Sequence, residues 1–274
     1  MSFKLAVVQM DCVLGDVDAN LARADSLVGA AAVQGATVAV LPELATTGYF
    51  VGDRLGALAE SIPGPTTDAL GKIARRHECY VMAGMIEQGK NCYYNSAALL
   101  APDGSLHGTY RKVHLFSAER EAFAPGTEPA LFDIDGTRVA LTICYDLIFP
   151  EYIRRLVLEG AQVILNSTDW ITNDWQRGLG WSGNVVSGLV ATRALENTVH
   201  VAMADRVGVE EGWKSLGHSC IAAPSGGYLA KVDEGEGIAV AALELDHPDW
   251  ETWRTIATYL DDRRPDLYTP SDSR

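Results

Sequence analysis

The chain reads as an α/β layered domain on three observations. Short β-branched or apolar runs alternate with helical periodicity through most of its 274 residues. No low-complexity or Ser/Pro-rich linker interrupts it, so residues 1–274 are expected to form one domain. There is also an internal echo: Gln34-Gly35-Ala36-Thr37-Val38-Ala39-Val40-Leu41 resembles Glu159-Gly160-Ala161-Gln162-Val163-Ile164-Leu165-Asn166. Each follows a helical stretch, places glycine where a helix end needs positive φ, and enters an apolar strand. Two βαβ-like halves in one sandwich would explain the echo; helix-Gly-Ala-strand junctions common to α/β proteins explain it equally well.

A first strand is expected over 5–9, then a helix near 19–32 with Leu21, Leu27, Val28 and Ala31 on one face. The run 37–41 is β-branched and stops at Pro42. A helix near 67–77 leads to strands at 79–86 and 96–100, with turn signals at Pro102-Asp103-Gly104 and Asp135-Gly136. Strands follow at 138–143 and 162–165 around a helix at 150–159, opened by Pro150. One long helix is expected over 176–196, then strands at 200–204, 219–222 and 238–245 and a helix at 249–259.

Composition excludes several classes. With 22 Lys+Arg against 36 Asp+Glu the net charge is −14, which repels phosphate backbones; the densest basic pair, Arg263-Arg264, follows Asp261-Asp262, so no nucleic-acid partner is expected. Cys12, Cys79, Cys92, Cys144 and Cys220 are odd in number and scattered, which builds neither a disulfide framework nor a zinc knuckle. The absence of HxH or HExxH spacing leaves no metal expected. The first residues turn polar too early for a signal peptide, and no apolar run reaches a membrane span. A cytoplasmic setting with free thiols and no membrane partner is the expectation.

Three segments end a strand with a reactive side chain, where open α/β sheets place their ligands. They are Leu41-Pro42-Glu43-Leu44, Tyr110-Arg111-Lys112-Val113-His114-Leu115-Phe116, and Leu141-Thr142-Ile143-Cys144-Tyr145-Asp146 running on to Phe149-Pro150-Glu151. Singly each has a plain reading: Cys144 as a small buried residue, Glu43 as a solvated loop acid, Lys112 as surface charge. His114, two residues from Lys112, offers a His-dependent thiol hydrolase as a rival, since i and i+2 share a strand face.

Together the segments resemble the carbon–nitrogen hydrolase (nitrilase) superfamily and its Glu-Lys-Cys triad. Glu119 before Phe123-Ala124-Pro125-Gly126, Arg193-Ala194-Leu195-Glu196-Asn197, Gly217-His218-Ser219, Pro224-Ser225-Gly226 and Asp262-Arg263-Arg264-Pro265-Asp266-Leu267-Tyr268 also have counterparts there, so the resemblance covers nearly the whole chain. It implies a four-layer αββα sandwich, no cofactor, and a homodimer or higher homo-oligomer. The helix around 185–194 and the segment about 249–274, with Trp250, Trp253, Tyr259 and Leu260, are candidate contacts. It also implies Cys144 as nucleophile, Glu43 as general base, Lys112 and the Tyr145 N–H as oxyanion donors, and Glu119 as a positioning acid. The implied function is a thiol amidase releasing ammonia from a small-molecule amide.

Cys144-Tyr145-Asp146 departs from the Cys-Trp-Glu of nitrilases proper and looks like amidase branches that include omega-amidases, which act on dicarboxylic acid monoamides such as 2-oxoglutaramate. N-carbamoyl amidohydrolase or nitrilase activity, and a catalytically silent binding protein on the same fold, are the alternatives. Asn166-Ser167-Thr168-Asp169-Trp170 and Asp205 also depart from the family, the latter from a common asparagine. Tyr49, Phe50, Trp170, Trp175 and Met203 are candidate pocket walls, with Thr168, Arg177 or Arg206 available to a substrate carboxylate.

Overall fold

A computed structural model describes residues 3–268 as two facing sheets between helices. The first sheet runs, edge to edge, Gly237–Leu243, Phe3–Asp11, Val38–Val40, Tyr80–Gln88, Tyr93–Leu100 and Leu106–Arg111, with Arg206–Val207 beside the end of Phe3–Asp11. The second runs Tyr228–Lys231, Cys220–Ala222, His200–Ala204, Val163–Ser167, Thr137–Ile143 and Ala130–Ile134. Each has a parallel trio at its centre, Phe3–Asp11 with Val38–Val40 and Tyr80–Gln88, and Thr137–Ile143 with Val163–Ser167 and His200–Ala204.

Alternation along the first strand builds the layers. Phe3, Leu5 and Val7 join Val139, Leu141, Val163, Leu165 and Val201 in the apolar layer between the sheets. Ala6, Val8 and Met10 face Ala24 and Val28 of helix Val17–Val33 and Leu70 and Ile73 of helix Pro65–His77. On the opposite outer face lie helices Pro150–Leu158 and Gly183–Asn197, contributing Ile153, Leu156, Val186 and Val190. The order is helix, sheet, sheet, helix, the expected αββα sandwich. The echo is structural too: Gly35 (φ 84°) and Gly160 (φ 101°) each turn a helix into the middle strand of a parallel trio.

The expected helix over 176–196 is two, Asp174–Gly178 and Gly183–Asn197. Gly178, Gly180 and Gly183 weaken the helix there, Gly180 takes φ 89°, and Trp181 Nε1 donates to Ile171 O at 3.1 Å instead. Strand Leu106–Arg111 supplies the strand expected to end at Lys112, though as a half-solvated edge and not a buried strand, while Ala130–Ile134 and Tyr228–Lys231 lie outside the expected set; all three are sheet edges without a continuous apolar run. A small sheet of Val209–Glu210, Trp213–Ser215 and Ile171–Thr172 stands beside the strand ends. Of the C-terminal contact segment, residues 269–274 lie outside the described residues. No helix among those described is long and apolar enough to cross a membrane.

Candidate active site

The ends of the two parallel trios meet, and the three reactive segments leave from them. Val38–Val40 runs out through Pro42 to Glu43, Thr137–Ile143 ends at Cys144, and Val163–Ser167 continues into Thr168 and Asp169. Gly84 permits the first approach: a Cβ there would stand 2.3 Å from Leu44 N and 2.7 Å from Pro42 O.

Glu43, Lys112, Glu119 and Cys144 are 0%, 1%, 5% and 5% exposed. Lys112 Nζ donates to Glu43 Oε1 at 2.6 Å and reaches Glu119 Oε1 at 2.9 Å and Oε2 at 2.8 Å. Asn95 Nδ2 bridges the same carboxylates, 2.6 Å from Glu43 Oε1 and 3.0 Å from Glu119 Oε1. The Phe116 N–H donates to Glu119 Oε2 at 2.6 Å, and the Asp169 N–H to Glu43 Oε2 at 3.1 Å. Burial pushes the Glu43 carboxyl up to about 7 although Lys112 opposes it. Burial disfavours a charged Lys112, yet Glu43 and Glu119 outweigh it and hold the ammonium protonated.

Cys144 takes φ 43°, the left-handed region that a side chain normally avoids, at the junction between its strand and a single 3₁₀ turn, Cys144–Ile148. Asp146 holds that turn. Its Oδ2 accepts from Ile143 N (2.9 Å) and Tyr110 OH (2.7 Å), and its Oδ1 from His114 N (3.0 Å) and His114 Nδ1 (2.8 Å). Arg193 donates from Nε to Leu147 O at 2.8 Å and from Nη2 to Ile148 O at 2.9 Å, which ties the turn to helix Gly183–Asn197. The Tyr145 N–H lies in the first turn, where no intrahelical acceptor exists.

Burial pushes the Cys144 thiol up, Glu43 adds to this and Lys112 opposes it, so the resting group is a thiol that needs a base. Its Sγ is 3.8 Å from Asp169 O, and Thr168 Oγ1, without another partner among the described residues, favours the thiolate. His114 stacks on Phe149 at 3.9 Å and bonds Asp146, so it serves the turn and not the thiol.

A cavity of about 380 Å³ opens against Glu119, walled by Tyr49, Phe50, Leu55, Phe116, Phe123 and Trp213. Of the expected walls, Tyr49 and Phe50 are there. Trp170 is core beside Trp181, Met203 is fully buried in the core, and Trp175 is 71% exposed on the short helix. Thr168 belongs to the thiol's surroundings. Arg177 lies on a separate depression with Lys214 and His218, paired with Asp174.

Arg206 is 1% exposed and committed to a second cluster. Its Nη1 donates to Asp169 Oδ2 at 3.1 Å and its Nη2 to Glu210; Ser215 Oγ donates to Asp169 Oδ1 at 2.6 Å, and Tyr49 N and Phe50 N donate to Glu210 Oε2 at 2.9 and 3.1 Å. Asp205 is fully buried: its Oδ1 accepts from Trp170 N (2.9 Å) and Arg206 N (2.8 Å), while Oδ2 is without a partner among the described residues. Burial and neighbouring Asp169 push its carboxyl well above the usual range.

Sequence reasoning missed Asn95. The available signal was polar Asn95-Ser96 leading an otherwise apolar run 97–100, where a buried amide needs partners. Among the described residues no group of three or more His, Cys, Asp or Glu is arranged to hold a metal ion.

The sequence profile of the carbon-nitrogen hydrolase family matches residues 4–255. A nitrilase of Pyrococcus abyssi is 36% identical over 97% of this chain and 98% of its own length. The 2-oxoglutaramate amidase of Bacillus subtilis is 32% identical over 98% of this chain and all (100%) of its own, and the omega-amidase of Homo sapiens 31% identical over 89% of each. A crystal structure of an amidase from Nesterenkonia sp. superposes with a TM-score of 0.82 at 28% identity, covering 97% of this chain and 94% of that one. Variants of that amidase hold butyramide or acrylamide, and one carries the acetamide moiety of fluoroacetamide covalently at its active-site cysteine.

Proposed function

The chain belongs to the carbon–nitrogen hydrolase family and is a hydrolase of carbon–nitrogen bonds, and from that premise we propose that it hydrolyses the primary amide of a small carboxylic acid through a thioester on Cys144. The observation that carries this is a buried thiol at a left-handed strand end, beside a buried Glu43 and a Lys112 ammonium paired with two carboxylates.

Glu43 takes the Cys144 proton and the sulfur bonds to the amide carbon. The negative oxygen that forms is met by Lys112 and the Tyr145 N–H. Lys112 has three donors and gives two to Glu43 and Glu119, leaving one to turn to the oxyanion. Protonated Glu43 returns its proton to nitrogen, the C–N bond breaks, ammonia leaves and the thioester remains. Glu43 then takes a proton from water, whose oxygen attacks the thioester; the acid departs and the proton returns to sulfur. Glu119 and Asn95 hold Lys112 and Glu43 in register throughout.

The bacterial and human relatives named for 2-oxoglutaramate and omega-amidase activity favour a second, finer reading, an acyl group ending in a carboxylate, as the Cys-Tyr-Asp context also suggested. The relative named nitrilase keeps nitriles in the test. Ammonia release is to be measured across amides, nitriles and N-carbamoyl compounds, with intact mass of the trapped enzyme. Amides are expected to react fastest and to leave an acyl mass on Cys144; faster nitrile turnover, or full amide hydrolysis by Cys144→Ala, overturns the reading.

A further inference from the structure

The cavity against Glu119 bears on which acyl group the enzyme takes. Its walls are Tyr49, Phe50, Leu55, Phe116, Phe123 and Trp213; the lining is mostly apolar, and its polar groups are the Tyr49 hydroxyl, the Trp213 indole N–H, Ser117, Gln176 and the one acid, Glu119. No Lys, Arg or His is among the described residues that line it. The cations nearby are spoken for: Lys112 by Glu43 and Glu119, Arg206 by Asp169 and Glu210. With Glu43 ionised as the base, two carboxylates face one ammonium, so the site carries one net negative charge before substrate arrives. The chain's −14 adds to the same sign. A carboxylate tail would lose water in an apolar chamber, find no cation, and sit near uncompensated negative charge.

Trp213 makes the outer wall of the cavity. It comes from the small sheet beside the strand ends, stacks on Phe50 with ring centres 6.4 Å apart, and is held there by the pairing of Trp213–Ser215 with Val209–Glu210 and Ile171–Thr172. Glu210 of that sheet fixes the Tyr49 and Phe50 N–H groups, so both faces of the wall hang on one element.

We infer that this cavity selects an uncharged apolar acyl group, with Trp213 a specificity-determining residue, so that short neutral amides are preferred over monoamides ending in a carboxylate, against the finer reading that the relatives' names favour. The inference rests on the amidase reading and is separable from it. Purified protein is assayed with butyramide, isovaleramide and phenylacetamide against succinamate and 2-oxoglutaramate. The neutral set is expected to show kcat/KM higher by roughly 10²-fold or more. Trp213→Arg, which sets a cation against the cavity, is expected to raise kcat/KM for succinamate by roughly tenfold. Succinamate hydrolysed as well as butyramide by the wild-type protein overturns the inference and leaves the amidase reading standing. An unchanged succinamate rate in a folded Trp213→Arg protein overturns charge at this wall as its basis. Ammonia from none of the amides, without acylation of Cys144, overturns the amidase reading and this inference with it.

Discussion

Glu43, Lys112 and Glu119 form one buried cluster and Asp169, Arg206 and Glu210 another, each with two carboxylates around one cation. They touch, since Asp169 of the second donates its backbone N–H to Glu43 of the first. What separates them is what they abut, since each cation keeps a spare donor: Arg206 Nε too is buried without a partner among the described residues. In the second cluster Arg206 reaches both carboxylates and the Cys12 carbonyl, while Ser215 and the Tyr49 and Phe50 N–H groups occupy carboxylate lone pairs. The first abuts a cavity and a thiol, and its cation is a compact ammonium with a donor to spare. On the proposed mechanism the same make-up serves chemistry where it meets open space, and it braces where it is closed in.

The contrast breaks most sharply at the thiol. Cys144→Ala is expected to lower kcat by about 10⁴-fold or more with the fold unchanged, read by ammonia release and circular dichroism. Substantial residual turnover would remove chemistry from the first cluster. Glu43→Gln keeps volume and a hydrogen-bond acceptor but no base, and about 10² to 10⁴-fold in kcat should go with it.

Acidity gives a second handle on the same cluster. In the proposed mechanism Glu43 acts as the carboxylate, and burial raises its carboxyl to about 7, so protonation on lowering the pH would remove the base. Activity in the wild type should therefore fall as pH drops through neutrality, well above the ordinary carboxylate range. A kcat/KM flat down to pH 5 would contradict the assignment.

In the bracing cluster the effect should be on stability first. Arg206→Met leaves Asp169 and Glu210 buried without their cation, a loss of about 3 to 5 kcal/mol by urea denaturation. Activity should decline only as the Tyr49–Phe50 wall and Asp169 shift.

Asp205 gives the smallest and most diagnostic change. Burial and neighbouring Asp169 raise its carboxyl far above the ordinary carboxylate range, so the folded state binds the proton more tightly than the unfolded state. Stability from this group is present at acid pH and lost as pH rises towards the folded-state value. Asp205→Asn keeps the acceptor for Trp170 N and Arg206 N without that loss, so its stability advantage over the wild type should grow from pH 5 to pH 8. Denaturation curves at both pH values check it, and a variant less stable than wild type at pH 8 would refute it.

Much was readable from the residues alone, because it is written in local pattern. Period-two and helical spacing gave most strands and helices, and the glycines at 35 and 160 marked the matching junctions. Glu43, Lys112, Glu119 and Cys144 stood in recognisable contexts, and the structure brings the first three into direct contact beside the fourth. The edge strands Ala130–Ile134 and Tyr228–Lys231 escaped because a half-solvated strand has weak alternation, and the helix over 176–196 broke where glycines outweighed periodicity.

The sequence by itself determined the layered fold, through spacing a few residues apart, and the candidate residues of the site, through short motifs to which only the family resemblance gave roles. Tertiary structure alone decided that Asn95 bridges Glu43 from 52 positions away and that Asp169 reaches Glu43 across 126. It also decided that Arg206 braces where a substrate cation was expected, and that the cavity wall is apolar. The physical reason is that charge, desolvation and shape at a site are set by which distant segments the sheets bring together, and no local pattern encodes that pairing.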